Sequence, residues 1–473
     1  MRRTKIVATV GPATDNPRTM DGIIRGGMDV ARVNFSHGSF ENHQRRVNSI
    51  RERAHLQDRH VGIMVDLQGP KIRIEGFRDG SVELEDDQLF VLDLKLGAKD
   101  GDGHRVGVTY KELVKDVNPG DVLLFDDGNI SMEVERLERD EIHCKVLIGG
   151  TLSDSKGLNL QGGGLTAGAL THKDLEDIKL AALLKADYLA VSFVRTAQDV
   201  RQARWLLEAA GGQAHIVAKI ERADAIDRID EILEAADAVM IARGDLGVEI
   251  GNAELPGVQK KIIRRARDLN SIVITATHMM QSMVESPQPT RAEVLDVANA
   301  VMDGTDAVML SAETAIGKYP VTVVEKMANI CAGAERQRIT MISSHRMDAE
   351  FKSMEEAVAM AAMYTANHFK VRAIVTMTES GTTAKWMSRI SSGLPIFALS
   401  RQITTLRRVT LYRGVYPIYF DIKDGQRGDE AQGDVLRELL RLGVVNEGDS
   451  VIVTQGELTG IAGGTNSMKI LVV

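Results

Sequence analysis

Apolar residues along this chain follow two periods, and the places where each one rules divide the sequence into parts. In the largest part, short runs of Val, Ile, Ala and Met recur with polar segments between them. The runs are KIVATVG (5–11), DVARVNFSHG (29–38), HVGIMVDLQGP (60–70), DYLAVSFV (187–194), HIVAKIE (215–221), AVMIARGD (238–245), SIVITATH (271–278) and AVMLSAET (307–314). They are nearly continuous in apolarity, as expected of parallel strands covered on both faces. The intervening segments carry helical spacing. Met20, Ile23 and Ile24 mark one, and Ile226, Ile229, Ile232 and Leu233 mark another. A third spans 255–270, with Val258, Ile262, Ala266 and Leu269 on one face and Pro256 near its start, where a missing N–H is harmless. Eight strands alternating with helices predict an α/β fold, a (β/α)8 TIM barrel over 1–69 and 168–340. A doubly wound open sheet is the alternative, although it leaves the count of eight unexplained.

From Lys71 to about residue 166 the pattern changes. Runs such as SVELE, FVLDLKL, DVLLFDDG, ISMEVERL and IHCKVLI are separated by Gly, Asp and Asn turns, with no helical segment among them. This predicts a small β-barrel domain inserted at 70–167. It closes with SDSKGLNLQGGGLTAGAL (153–170), whose three successive glycines suit a hinge. Beyond the barrel, SHRMDAEFKSM (344–354) reads as a linker, and Ser353 with Glu356 forms a capping box for a helix running to Phe369. Five further apolar runs interleaved with helices predict a separate α/β three-layer domain over 350–473.

Composition narrows the function. A formal charge of −8 argues against a general nucleic-acid binder, so an anionic ligand must be met by local positive charge. The two cysteines, Cys144 and Cys331, form no metal-spaced cluster and suit a reducing compartment. MRRTKIVATVGP is not a secretory signal, and no apolar segment approaches the ~20 residues that span a bilayer. A cytoplasmic protein without a membrane partner is expected.

Active sites of (β/α)8 barrels are built at the carboxyl ends of the strands. The polar residues there are Arg32, Asn34, Ser36 and His37; Asp66; Ser192; Lys219 and Glu221; Arg243 and Asp245; Thr275 and Thr277; Ser311 and Glu313. Buried charge is costly unless it is paired or holds a metal. Two basic groups, Arg32 and Lys219, converging with Asp66, Glu221 and Asp245 suit Mg²⁺ and a phosphoryl group; a buried salt bridge at the barrel rim is the plainer reading. No GxxxxGK[ST] motif is present, so a nucleotide must bind by another route.

These residues stand in motifs that resemble pyruvate kinase over essentially the full length. They are KIVATVGPAT (5–14), VARVNFSHG (30–38), DLQGPKIR (66–73), the Lys-Gly of SDSKGLNL, VSFVR (191–195), IVAKIER (216–222), MIARGDLGVE (240–249), ATHMMQSM (276–283), PTRAEVLDVANAV (289–301) and DGTDAVMLSAETAIGKYP (303–320). The fit is to the short bacterial form. The resemblance implies phosphoryl transfer from phosphoenolpyruvate to ADP, giving pyruvate and ATP, the last step of glycolysis. It implies Mg²⁺ (or Mn²⁺) on Glu221 and Asp245, with Lys219 on the phosphoryl group and enolate. Arg32 would bind the phosphoryl group, and the backbone around Gly244 and Asp245 with Thr277 would hold the carboxylate. Asn34, His37, Arg73 and Lys156 would face the nucleotide phosphates, making the insertion a lid. A homotetramer is also implied.

The resemblance further implies a monovalent cation site at Asn34, Ser36, Asp66 and the Leu67 carbonyl, which K⁺ fills in many members. The potassium-dependent kind has threonine-lysine after the aspartate and a glutamate where this chain has Lys71. Here Asp66-Leu67-Gln68 and Lys71 stand instead, so an ammonium is expected to supply that charge and K⁺ not to be required. His278 replaces a usual glutamine; it either adds pH dependence or merely replaces an amide hydrogen bond. TMTESGTTA (376–384) resembles an allosteric phosphate pocket, with Thr378, Ser380, Thr382 and Thr383 for a sugar phosphate or AMP. It also reads as an ordinary helix start.

Plainer readings accompany several residues. Arg243 is expected to orient the carboxylates beside it. His37 reads equally as a strand-end histidine satisfied by backbone, and Met279, Met280, Met283 and Met309 read as core. Ser311 and Glu313 form either a proton relay or a structural pair. A Mg²⁺-dependent barrel lyase or aldolase would share Glu221 and Asp245 but has no use for Arg73 and Lys156. A non-catalytic phosphometabolite sensor would have lost Lys219, Glu221, Asp245 and Thr277, all of which are present.

Overall fold

The computed structural model describes residues 1–341, 350–421, 428–456 and 463–473. The linker expected over 344–354 lies largely outside them. Eight parallel strands close into a barrel: Lys5–Val10, Val30–Asn34, Gly62–Asp66, Tyr188–Val191, His215–Ile220, Ala238–Ala242, Ile272–Ala276 and Ala307–Leu310. The first strand pairs with both the second and the eighth, which removes any open edge and rules out the doubly wound sheet. Alternate strand residues serve two cores. Ile6, Ile63, Val65, Ile216 and Ala218 pack outward against the helices. Val7, Met64, Val217, Met240 and Ile274 fill the lumen, and that cluster continues into Ile374, Met387 and Leu411 of the C-terminal unit. That continuity places the C-terminal unit beneath the barrel floor.

The floor carries a four-fold repeat. Asp29, Asp187, Asp237 and Asp306 each precede an even-numbered strand. Each carboxylate accepts a backbone N–H from the preceding odd strand: Ile6 at 2.8 Å, Ile63 at 2.8 Å, Ile216 at 2.8 Å and Val273 at 3.0 Å. Each also meets an arginine: Arg2 on Asp29, Arg407 on Asp187, Arg204 on Asp237 and Arg389 on Asp306. Arg389 and Arg407 belong to the C-terminal unit, so two of the four sockets join it to the barrel.

The helix anticipated around Ile226–Leu233 is two pieces, Asp224–Asp227 and Ile229–Ala235, broken at Arg228. Ile229, Ile232 and Leu233 are buried as their spacing requires. The sixth strand leads directly into the helix Arg243–Ile250, so Arg243 and Asp245 stand on a helix rather than at a strand end. Between the third and fourth strands the chain builds a curled six-stranded sheet with a separate two-stranded ribbon around Phe90, Val106, Leu123 and Phe125. One short helix, Leu113–Asp116, interrupts it, which the turn-rich pattern did not suggest. Glycines 162, 163 and 164 all have φ between +84° and +104°, a left-handed run open to glycine but not to a larger residue at low cost.

The C-terminal sheet has five strands, with the last, Thr465–Val472, antiparallel to Ser450–Gly456. Helices Met354–His368 and Thr382–Ser388 cover one face and Gly428–Arg441 the other, giving three layers. Ser353 caps the first of these helices by accepting from Glu356 N–H. The carboxylate of Glu356 returns to Lys352 N–H, one residue before the expected partner. Cys144 and Cys331 are free and buried. No helix among the described residues is long and apolar enough to cross a membrane.

Candidate active site

The site grows from the carboxyl ends of strands two, three, five and six. Asp66 closes the third strand, fully buried, and each of its oxygens meets a cation. Arg32 Nε donates to Oδ2 at 2.6 Å, and Lys219 Nζ lies 3.2 Å from Oδ1. Lys219 also reaches Glu221 Oε1 at 2.9 Å and donates to Ser192 Oγ at 2.7 Å. Ser192 Oγ in turn donates to the Leu67 carbonyl. The second oxygen of Glu221 accepts Phe193 N–H at 2.8 Å. Arg32 is steadied from the first strand, where its Nη1 donates to Thr9 Oγ1 at 2.9 Å.

The electrostatics follow from this crowding. Burial alone would pull the Lys219 ammonium down, but Asp66 and Glu221 together outweigh it and hold the charge firmly on. Burial pushes Asp66 up, and Lys219 with Arg32 bring it below its ordinary value. Glu221 remains raised: burial exceeds the help of Lys219, and the charge of Asp245 adds to the strain. A buried carboxylate raised further by a neighbouring carboxylate is an unfinished arrangement, which a hard divalent cation between the two would complete. The donor set fits such an ion.

The sixth and seventh strands supply the other wall. Gly244 N–H donates to Thr277 Oγ1 at 2.8 Å, and that hydroxyl donates to the Ala276 carbonyl. Thr277 and His278 both have positive φ, +65° and +52°. For a β-branched threonine that is strained backbone, of the kind that persists where surroundings over-determine it. Arg243 provides the clamp. Its guanidinium donates to the carbonyls of Ala276 and Thr277 and to Asp296 at 2.7 Å. Arg243 therefore orients a strained turn, and the expectation that it orients Asp245 and Glu221 is corrected.

Other sequence expectations resolve unevenly. Lys71 Nζ lies 2.9 Å from Asp245 Oδ1, so the ammonium meets one of the two carboxylates expected to hold the divalent ion. Among the described residues its ammonium makes no hydrogen bond or ion pair with Asn34, Ser36, Asp66 or the Leu67 carbonyl. Asn34 Oδ1 accepts Ser36 N–H, and His37 is exposed. Arg73 donates to the Ser155 carbonyl, and Lys156 pairs with Asp126 at 2.6 Å, which puts both at the root of the inserted sheet. Thr275 turns away from the site and donates to Thr305 at the floor. Glu313 accepts the N–H groups of Met280 and Ser311, while Ser311 Oγ is buried without a partner among the described residues. The four methionines are buried, as core residues are. His278 is exposed, and a Cβ built on Gly244 would lie 3.7 Å from its ring.

Thr9 and Asp296 escaped the sequence reading. Thr9 stands at the end of the first strand, where its neighbours gave no charge to mark it. Asp296 lies mid-helix in PTRAEVLDVANAV, and only its approach to Arg243 gives it a role.

Over the C-terminal turn, Gly381 at φ +86° lets the chain enter Thr382–Ser388. Thr378 Oγ1 accepts Gly381 N–H and is buried; Thr383 is buried against Thr465. Ser380 and Thr382 are exposed, their hydroxyls 2.9 Å apart. Of the four hydroxyls expected to bind an effector, two are thus committed to the fold.

The sequence model described as "Pyruvate kinase, barrel domain" matches residues 1–324, and "Pyruvate kinase, alpha/beta domain" matches 356–471. The chain belongs to the pyruvate kinase family. Pyruvate kinase II of Salmonella typhimurium is 54% identical across all of this chain and 99% of the relative. Pyruvate kinase of Buchnera aphidicola subsp. Schizaphis graminum is 53% identical across all of this chain and 98% of the relative. A longer pyruvate kinase, from Sporosarcina psychrophila, is 42% identical over all of this chain but 81% of its own length. The chain is accordingly an enzyme of this family, a glycolytic kinase with the barrel, curled lid sheet and C-terminal α/β unit of that fold, and the family uses a divalent metal.

Proposed function

We propose that this enzyme transfers the phosphoryl group of phosphoenolpyruvate to ADP, forming pyruvate and ATP. The observation that carries the reading is the Lys219 ammonium, buried and held charged between Asp66 and Glu221 at one end of the lumen. A fixed cation in a water-poor pocket is what stabilises a moving phosphoryl group and the oxyanion it leaves. A terminal phosphate oxygen of ADP attacks phosphorus, the bond from phosphorus to the enol oxygen breaks, and its electron pair stays on that oxygen. The enolate carbon then takes a proton on the side of Thr277. Lys219 answers the charge on the phosphoryl oxygens and then on the enolate, while Arg32, braced by Asp66 and Thr9, binds the phosphoryl group. Glu221 and Asp245 would hold Mg²⁺, or Mn²⁺, which when bound neutralises substrate carboxylate and phosphate charge.

Gly244, Asp245 and Thr277 position the substrate carboxylate, and Arg243 keeps their turn in place. Asn34, His37, Arg73 and Lys156 bind the nucleotide phosphates as the insertion, residues 70–167, closes over the barrel of 1–69 and 168–340. K⁺ is not required, because Lys71 brings a permanent positive charge into the site; Asn34, Ser36, Asp66 and Leu67 form the seat K⁺ would otherwise use. Residues 350–473 are regulatory, with a sugar phosphate or AMP meeting Ser380 and Thr382 beside Thr378 and Thr383. The enzyme works in the cytoplasm as a homotetramer.

A coupled assay for pyruvate from phosphoenolpyruvate, ADP and Mg²⁺ tests the reaction, and absence of turnover rejects it. Turnover in buffer free of K⁺ should be nearly full, and Lys71→Glu should make it K⁺-dependent. Strong K⁺ activation of the wild type sinks that part. Activation by no member of a panel of phosphorylated metabolites removes the effector site.

A further inference from the structure

Asp245 differs from the other carboxylates of the site in the kind of cation that answers it. Asp66 and Glu221 face Lys219, whose side chain is only 11% exposed and held on three sides. Asp245 is met by Lys71, and both side chains are partly exposed, 22% and 26% respectively. Among the described residues no other cation pairs with Asp245. The second oxygen of Glu221 is occupied by Phe193 N–H, so the oxygen of this pair most readily vacated is the one Lys71 holds.

The backbone of Lys71 is fixed from two directions. Gly69, at φ +68°, donates its N–H to Asp174, and a Cβ there would stand 2.6 Å from that of Ser192. This anchors the segment to the barrel wall. On the other side Leu158 N–H donates to Ile72, and Arg73 bridges Gly157, which anchors it to the inserted sheet. The lysine stem passes Gly157, where a Cβ would lie 3.2 Å from Lys71 Cε. One side chain therefore connects the root of the lid to a carboxylate of the divalent seat.

We infer that Lys71 is a tethered placeholder cation, occupying Asp245 in the metal-free enzyme and leaving it when a divalent ion takes that oxygen. This rests on the reading of Glu221 and Asp245 as metal ligands. An ammonium and a divalent ion repel strongly at contact distance, so on one carboxylate each weakens the other's hold. Because the pair is partly exposed, the ammonium competes weakly. The placeholder keeps the two carboxylates from facing each other uncompensated, and its departure couples metal binding to the lid root.

The test is a titration of Mn²⁺ into the ligand-free, full-length enzyme, followed by electron paramagnetic resonance, with thermal melts to verify folding. Lys71→Met should tighten Mn²⁺ by about fivefold or more, while Lys71→Arg, which retains the charge, should stay near wild type. Lys71→Met binding Mn²⁺ as the wild type does, or more weakly, overturns the inference. If Asp245→Asn still abolishes binding in that case, the metal seat stands and only the placeholder falls. Mn²⁺ binding in the wild type that survives Asp245→Asn, or no binding in any variant, overturns both.

Discussion

The two ends of the barrel use the same chemical groups to opposite ends. At the floor, Asp29, Asp187, Asp237 and Asp306 each receive one backbone N–H and one arginine. At the mouth, Asp66, Glu221 and Asp245 share Lys219, Arg32 and Lys71 unevenly. The floor closes its charges against the fold; the mouth is where the proposed function places a further cation and an anion. Carboxylate and cation in contact thus say nothing about role until the remaining hydrogen bonds are counted.

The sharpest way to break this contrast is Lys219→Met. It should lower kcat by about 10³-fold in the pyruvate-coupled assay while leaving the thermal midpoint little changed. Arg32 still answers Asp66, and Glu221, already raised by burial, can take a proton in place of its lost partner. Full activity in this variant would remove the mouth from catalysis.

At the floor the expectation reverses. Asp306→Asn leaves the fully buried Arg389 guanidinium short of its counter-charge and should cost about 3 kcal/mol. In a chain of 473 residues that corresponds to a fall of about 3 °C in the calorimetric midpoint, with kcat at 25 °C nearly unchanged. A variant as stable as wild type would show that the aspartate sockets do not hold the C-terminal unit.

A smaller effect concerns His43, which stacks on Phe35 with ring centroids 4.4 Å apart, behind the loop that carries Ser36 and His37. Burial, aided by Arg46 and Lys173, brings its pKa from 6.5 down to about 4. Between those values the unfolded chain binds a proton that the folded one refuses. Stability is therefore complete above pH 6.5 and declines as the pH falls towards 4. His43→Phe should flatten that part of the midpoint-against-pH curve, and an unaltered slope would assign the acid sensitivity elsewhere, with His215 also brought to about 4.

Much of the architecture is legible in the sequence. Continuous apolar runs require burial on both faces, and counting them yielded eight barrel strands with the insertion after the third. The floor repeat was readable too, since Asp29-Val30, Asp187-Tyr188, Asp237-Ala238 and Asp306-Ala307 each precede an apolar run. A lone aspartate before an apolar run is, however, indistinguishable by local pattern from an ordinary turn residue. Periodicity failed at Arg228, where the apolar spacing persists across a break in the backbone.

Sequence by itself determined the strand count, the family motifs and the set of charged residues around the mouth, because these depend on local spacing and residue type. Tertiary structure alone decided which charge meets which. Arg243 and Asp245 are two residues apart, yet one clamps the Thr277 turn and the other faces Lys71, 174 positions away in sequence. A helix beginning at Arg243 aims successive side chains in different directions, and no linear pattern records where they land.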